Sequence, residues 1–302
     1  MNRIGCFLVL MVLISTAMAS TYRLPDNGDN VVGYDRIESF DPGDSLSSFA
    51  RRYDVGYYAV LEANPGLDPL SVRSGKRLFV PGQFILPDAP REGIVINLAE
   101  LRLYYYPPGT NKVVTYPIGI GRVGTGWQTP QGQSPITEKK KDPLWHVPVS
   151  VVIDMARRGK ILEEYIPPGP ENPLGNYMMR LGNTAFLIHG TNRPDSVGRR
   201  TSAGCVHLYP EDIKALYKQV PLGTQVTIIN QPVKVGILKG QVYFEAHSPL
   251  REDRLQYAAG YGPLSRTVLQ TIGNHQTAKI DWTQVQFLAQ KQTGVPDVVG
   301  TL

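Results

Sequence analysis

The hydrophobic pattern switches repeatedly between period two and helical spacing, and those switches divide the chain. After a polar lead from Thr21 to Asn30, Arg36 to Phe40 alternates as a half-buried strand does. Beyond the turn Pro42-Gly43-Asp44-Ser45, where Asp44 or Ser45 can cap a helix, Leu46, Phe49, Ala50 and Tyr53 fall at helical spacing. Val55-Gly56 breaks that helix, a second is expected over Tyr57 to Ala63, and Asn64-Pro65-Gly66 ends it. Lys76 to Pro81 closes the unit as a strand, and the prolines at 81, 87 and 90 mark a linker. Then Ile94 to Leu98 and Leu101 to Tyr106 predict a hairpin turning at Ala99-Glu100, and Lys112 to Ile120 predicts a further strand.

The glycine-rich stretch Gly119 to Gly126 contains GIGRVG, but no helix or βαβ unit follows, so nucleotide binding is rejected. Between Leu144 and Gly182 the strand pattern lapses, apart from a short helix expected over Asp154 to Tyr165. That insertion is placed to serve as a lid, with plain surface decoration as the equal alternative. Ala185 to Ile188 is an apolar strand that ends on His189. Val233 to Ile237 and Gln241 to Glu245 predict a strand pair, and Arg251 to Ala259, Ser265 to Ile272 and Trp282 to Gln290 predict helices.

The N-terminus changes the picture. Arg3, the apolar run Ile4 to Ile14 and Ala17-Met18-Ala19 form a signal-peptide pattern with cleavage after Ala19. The run is too short to anchor a membrane span. An exported protein is expected, and removal of Cys6 leaves Cys205 without a disulfide partner. A solitary thiol in an oxidising compartment calls for a use. A net charge of +5 is a mild bias towards anionic polymers and does not argue for nucleic acid.

The candidate chemistry lies in HGTNRPDSVGRRTSAGCVHL, His189 to Leu208. Gly190, Gly198 and Gly204 let this loop fold back and bring Cys205 against His189. An imidazole can take the thiol proton, and the small residues Ser202, Ala203 and Gly204 leave backbone N–H groups for an oxyanion. The competing reading is a buried cysteine and a satisfied histidine that never meet. Five histidines without spaced cysteines argue against zinc, and no metal or cofactor is expected.

GDSLSSFARRYDV, LEANPGLDP and SGKRLFVP resemble a LysM module. INLAELRLYYY, TYPIGIG, TPQG, PPGPENPLG, FLIHGT, SAGCVHL and PEDIKALY resemble the YkuD-type L,D-transpeptidase catalytic domain, in the layout of the ErfK/YbiS/YcfS/YnhG group. The resemblance implies a signal peptide at 1–19, a βααβ LysM module at 34–82 and a catalytic domain at 92–230, mainly β and sandwich-like with a few helices. A partly helical extension would fill 231–302. It also implies a periplasmic enzyme acting on peptidoglycan stems, without a membrane span. Cys205 would be the nucleophile, His189 the base, and the Gly190 carbonyl the group that orients the ring. The N–H groups of Gly204 and Cys205 would bind the oxyanion, and Ser202, His207 and Tyr177 would contact substrate. The acceptor would be a second stem peptide or a Braun-type lipoprotein. Ala203 replaces the histidine of the family's Ser-His-Gly-Cys motif, and His207 stands where Arg or Asn is usual. An imidazole there is expected to introduce a pH dependence near its ordinary range, and to offer a second base. The rival functions are a wall-binding scaffold with an inert cysteine and an exported cysteine peptidase.

Overall fold

In the computed structural model, which describes residues 19–25, 28–124, 126–257, 261–273 and 277–302, the predicted hairpin forms the centre of a large sheet. Gly93–Asn97 pairs antiparallel with Arg102–Tyr106, placing Ile94 opposite Tyr105 and Ile96 opposite Leu103. Those four side chains enter the main core, while Val95, Tyr104 and Tyr106 on the other face pack with Val32, Phe84 and Leu86. Burial on both faces explains why this segment reads as a nearly continuous apolar run.

The sheet has nine strands in the order Ser20–Arg23, Lys112–Pro117, Arg102–Tyr106, Gly93–Asn97, Gln225–Ile229, Gly132–Lys141, Tyr177–Leu181, Leu187–His189 and Val206–His207. The long strand Gly132–Lys141 joins its halves: residues 132–135 pair with Gln225–Ile229, and residues 136–141 pair with Tyr177–Leu181 across a register irregularity. Both halves share one core with Ile213 and Leu216 of the helix Pro210–Gln219. Proline in the first turn of that helix lacks only an N–H that has no intrahelical partner there, and Glu211 and Asp212 suit its positive end.

The LysM-like unit pairs Arg36–Ser39 with Arg77–Val80 around the helices Leu46–Arg52 and Tyr57–Ala63. A reciprocal Ser45–Ser48 capping box starts the first helix. The unit docks on the loop at Val197-Gly198 and on the helix Pro210–Gln219 instead of hanging from a linker. Gly198 (φ +76) lies against Gly56, and a Cβ on Gly198 would meet Tyr57 N at 2.1 Å. Only glycine permits this backbone-on-backbone contact. Tyr58 N donates to Gly198 O at 3.2 Å, and Arg51 forms a two-pronged pair with Glu211 at 2.8 Å.

Several expectations need correction. The supposed linker is structural: Gln83–Ile85 pairs with Val31–Gly33, and Ile85 and Leu86 are buried. The supposed polar lead begins with Ser20–Arg23, an edge strand on Lys112–Pro117. The helix expected over Asp154 to Tyr165 instead spans Val149–Arg157, since Pro148 fixes its start and Gly159 (φ 72) stops it.

The strand pair expected over Val233 to Ile237 and Gln241 to Glu245 forms as Val233–Leu238 and Gln241–Ala246 and gains Asp297–Thr301 and Lys279–Ile280, covered by helices Tyr261–Ile272 and Trp282–Lys291. The expected helix from Arg251 appears as a 3-10 turn Arg251–Asp253 and a helix Arg254–Tyr257, and its end at 258–259 lies outside the described residues. Residues 1–18 of the expected signal peptide, with Cys6, and Thr125 of the glycine-rich stretch also lie outside them. Among the described residues no helix is long and apolar enough to cross a membrane.

Candidate active site

Strand register sets the candidate residues along one edge of the sheet. Leu187–His189 pairs antiparallel with Tyr177–Leu181, setting His189 opposite Met178, and parallel with Val206–His207, setting His189 beside His207. Paired residues project from the same face, so His189, Met178 and His207 share one, while Met179, Ile188 and Val206 enter the core. Cys205, two residues before His207, falls on the His189 face. It packs with Trp145 against Leu174, Met178 and Leu187.

The His189 ring is held by its own neighbour, with Nδ1 2.5 Å from the Gly190 carbonyl oxygen. A carbonyl only accepts, so Nδ1 carries the proton and Nε2 keeps a lone pair. Burial, with His207 next to it, pushes the His189 pKa down to about 3, against the pull of the Gly190 and Leu174 carbonyls. Burial likewise pushes the Cys205 thiol up to about 11. The resting site therefore holds a neutral thiol and a neutral imidazole, not the thiolate–imidazolium pair of some cysteine enzymes. The proton must move as the sulfur attacks.

The match to known proteins is extensive. Residues 91–228 match the YkuD L,D-transpeptidase catalytic domain, and residues 41–81 match the LysM domain. The chain is 40% identical to the probable L,D-transpeptidase ErfK/SrfK of Salmonella typhimurium over 304 residues, 98% of this chain and 97% of that protein. It is 43% identical to the probable L,D-transpeptidase YcfS of Escherichia coli K12 over 250 residues, covering 82% and 78% of the two chains. The chain belongs to the L,D-transpeptidase family. YbiS of Escherichia coli K12, also named a probable L,D-transpeptidase, is 42% identical over 247 residues, 80% of each chain.

Other residues of the transpeptidase take specific places. The Ser202 hydroxyl donates to the Cys205 carbonyl at 2.6 Å and accepts from Gly204 N at 3.2 Å, so it pins the turn that carries the sulfur. Gly204 (φ +106) is required there, because a Cβ would meet the Phe186 ring at 2.7 Å. Its N–H, expected to face an oxyanion, is engaged by Ser202 in this state.

His207 Nε2 lies 2.9 Å from Ser196 Oγ, and its ring centroid lies 6.0 Å from that of His189. Burial pushes its pKa down to about 4, which corrects the expected pH dependence near its ordinary range. Gly119 of the rejected nucleotide motif has its own reason: a Cβ there would sit 2.1 Å from the His207 ring. Tyr177 is not brought to the sulfur. Its ring lies tilted against Tyr217, with centroids 4.9 Å apart, and packs on the main core, while its carbonyl accepts from Gly190 N at 3.1 Å.

Sequence reasoning missed the walls. A cavity of about 270 Å³ opens beside the histidines, lined by Pro173, Thr191, Arg193 and Arg199 among others. The insertion 144–182 forms a two-stranded ribbon, Trp145–His146 with Tyr165–Ile166, which brings Trp145 to the Cys205 cluster. Buried Asn172 staples it by donating to the carbonyls of Pro143, Ile166 and Pro167.

Among the described residues, one cluster has metal-ligand chemistry: Glu100, Glu245 and His247. Lys234 Nζ already lies 2.9 Å from Glu100 and 2.8 Å from Glu245, so an ammonium supplies the positive charge.

Proposed function

We propose that this transpeptidase is exported, loses its signal peptide after Ala19 and works on periplasmic peptidoglycan through a Cys205 thioester. In this reading His189 Nε2 takes the thiol proton as Cys205 Sγ attacks the carbonyl at the L-centre of meso-diaminopimelate in a tetrapeptide stem. The C–N bond to the terminal D-Ala breaks, His189 returns the proton to the leaving amine, and the acyl group stays on sulfur. An amine acceptor then takes the acyl group: a neighbouring stem peptide, giving a 3→3 crosslink, or the terminal lysine of a Braun-type lipoprotein. The Cys205 N–H serves the oxyanion, joined by the Gly204 N–H once substrate draws it from Ser202. Ser202 and His207 act on substrate through the loop they brace. The LysM module binds the glycan and keeps the enzyme on its polymer.

The observation that carries this reading is the packing of Cys205 on Met178 and Leu187, beside the strand end that holds His189, with the Gly190 carbonyl fixing the ring so that Nε2 is the free base. Incubation with purified tetrapeptide muropeptides tests it, with D-Ala release and new crosslinked products expected. Products lacking D-Ala release, or cleavage of ordinary L,L-peptides, would count against it.

A further inference from the structure

Where the LysM-like unit meets the catalytic sheet, two carboxyl groups are buried together. Asp54 is 5% exposed and Asp212 is 1% exposed. Asp54 follows the helix Leu46–Arg52 with φ 56, a left-handed position where glycine is the usual residue. Asp212 sits in the first turn of Pro210–Gln219. Asp54 Oδ1, Asp212 Oδ2 and the nearby Tyr116 hydroxyl are buried without a hydrogen-bond partner among the described residues. Two anions cannot hydrogen-bond to one another; they can only once a proton is shared between them. Burial pushes both carboxyls up, and at Asp212 the neighbouring Asp54 adds to the rise.

The cations around this pair have other partners. Arg51 is committed to Glu211, with its Nε 2.8 Å from Oε1, and Glu211 adds negative charge towards the pair. Arg102 lies 4.0 Å from Glu100 and donates to Thr115, and reaches the two aspartates only at longer range. Arg36 donates to the Tyr53 carbonyl, and Tyr22 and Tyr209 supply phenols, which carry no charge at neutral pH. One atom does touch the pair directly: the backbone nitrogen of Ser20, 3.0 Å from Asp54 Oδ2.

Ser20 is the residue that the Ala17-Met18-Ala19 pattern makes the first of the mature chain. We propose that the Asp54–Asp212 pair is a binding site for the α-ammonium of Ser20, so that processing completes the joint between the LysM module and the catalytic domain. This rests on the cleavage reading above. Hydrolysis adds water's hydroxyl to the Ala19 carbonyl and its hydrogen to the Ser20 nitrogen, which takes a further proton from solvent. A neutral amide with one hydrogen becomes a cation with three, in place against Asp54. The same nitrogen begins the edge strand Ser20–Arg23, whose pairing with Lys112–Pro117 holds it there. Cleavage happens on the unfolded exported chain, and the site forms afterwards. Before cleavage the pair must share a proton; after it, the ammonium supplies one positive charge against the pair, in contact with Asp54.

The test uses the mature full-length enzyme, released so that Ser20 is its first residue, and a form that keeps Ala19. Reductive methylation at pH 7 reads the α-amine directly. A cation held by Asp54 should label about tenfold more slowly than an exposed α-amine, as a pKa raised by about one unit requires. Asp54→Asn should restore ordinary labelling. The mature form should also melt above the Ala19-extended form, whose side chains are all intact, and Asp54→Asn should erase that difference. If Asp54→Asn does not fold, the comparison of the two amino termini still decides. Equal melting of the two forms, or ordinary labelling of Ser20, overturns the proposal. N-terminal sequencing of the exported protein separates the two ideas: a different first residue defeats the cleavage reading, whereas Ser20 with an ordinary amine defeats only the α-ammonium site.

Discussion

Two buried groups of ionisable side chains in this protein are treated in opposite ways. In the Glu100–Glu245–His247 cluster, which forms a junction between the hairpin turn and the C-terminal strands, Lys234 Nζ lies between Glu100 and Glu245, donates to the Ile85 carbonyl at 2.7 Å, and His247 Nε2 sits 2.6 Å from Glu245. Burial pushes Glu245 up, but Lys234 and His247 outweigh it and hold the carboxyl below its ordinary range. At the proposed catalytic site, burial is the largest influence on Cys205, His189 and His207, outweighing the pull of Arg180 on the thiol, and each favours its neutral form. Charges with partners stabilise a fold, while neutral groups without them remain free to exchange a proton. A thiol kept protonated in this way will react slowly with simple alkylating reagents at neutral pH. Alkylation therefore does not separate this enzyme from an inert scaffold, whereas acylation by substrate does.

The comparison can be broken first at the base. His189→Gln removes the proton acceptor and should lower the acylation rate by about 10²–10⁴-fold in stopped assays, with substrate affinity little changed. A small rate effect would hand the role to His207 and undo the assignment of the two rings. The junction should respond in stability instead. Lys234→Met leaves two carboxylates buried without their ammonium and should cost about 3–5 kcal/mol in denaturant unfolding. Activity per folded molecule should persist, and a near-neutral result would show that the cluster is not held by charge.

Acid separates the two regions by pH window. His189 and His207 titrate lower in the fold than the ordinary 6.5, so the unfolded chain takes up protons first. Their contribution is complete above 6.5 and is lost progressively as pH falls towards the folded values. Glu245 is depressed from the ordinary 4.5, so its contribution is present above 4.5 and lost below it. Stability measured against pH should begin to fall below 6.5 in the wild type and nearer 4.5 in His189→Gln/His207→Gln. The same early fall in both proteins would contradict the neutral histidines. The smallest effect is local. Ser45→Ala removes the capping box of the first LysM helix and should cost about 1 kcal/mol in thermal unfolding, leaving tetrapeptide acylation unchanged.

The elements were legible in the sequence wherever periodicity was strong, and the two LysM helices and the Ile94 to Tyr106 hairpin lie where the pattern put them. Cys205 and His189 stand out as candidates in the sequence, because a solitary cysteine and a strand-end histidine are rare signals. Side-chain direction was harder. Tyr177 and Met178 differ by one residue, but strand parity sends the first to the core and the second to the Cys205 face. Long-range closure left no local trace. Gly56 reads as a helix breaker until Gly198 is packed on it, and nothing in the local sequence marks Lys234 as the partner of Glu100 and Glu245. The buried stretch around Ile85 was masked by its flanking prolines, which gave it the composition of a linker.

The most direct test of the account is the intact mass of the mature protein during turnover with a purified tetrapeptide stem, beside Cys205→Ala and His189→Gln. The wild type should gain the mass of the stem less D-Ala and release D-Ala in equal amount. Cys205→Ala should gain nothing, and His189→Gln should acquire the same adduct slowly. A wild type that stays unmodified, or an adduct that persists in Cys205→Ala, would contradict the assignment of Cys205 as the nucleophile.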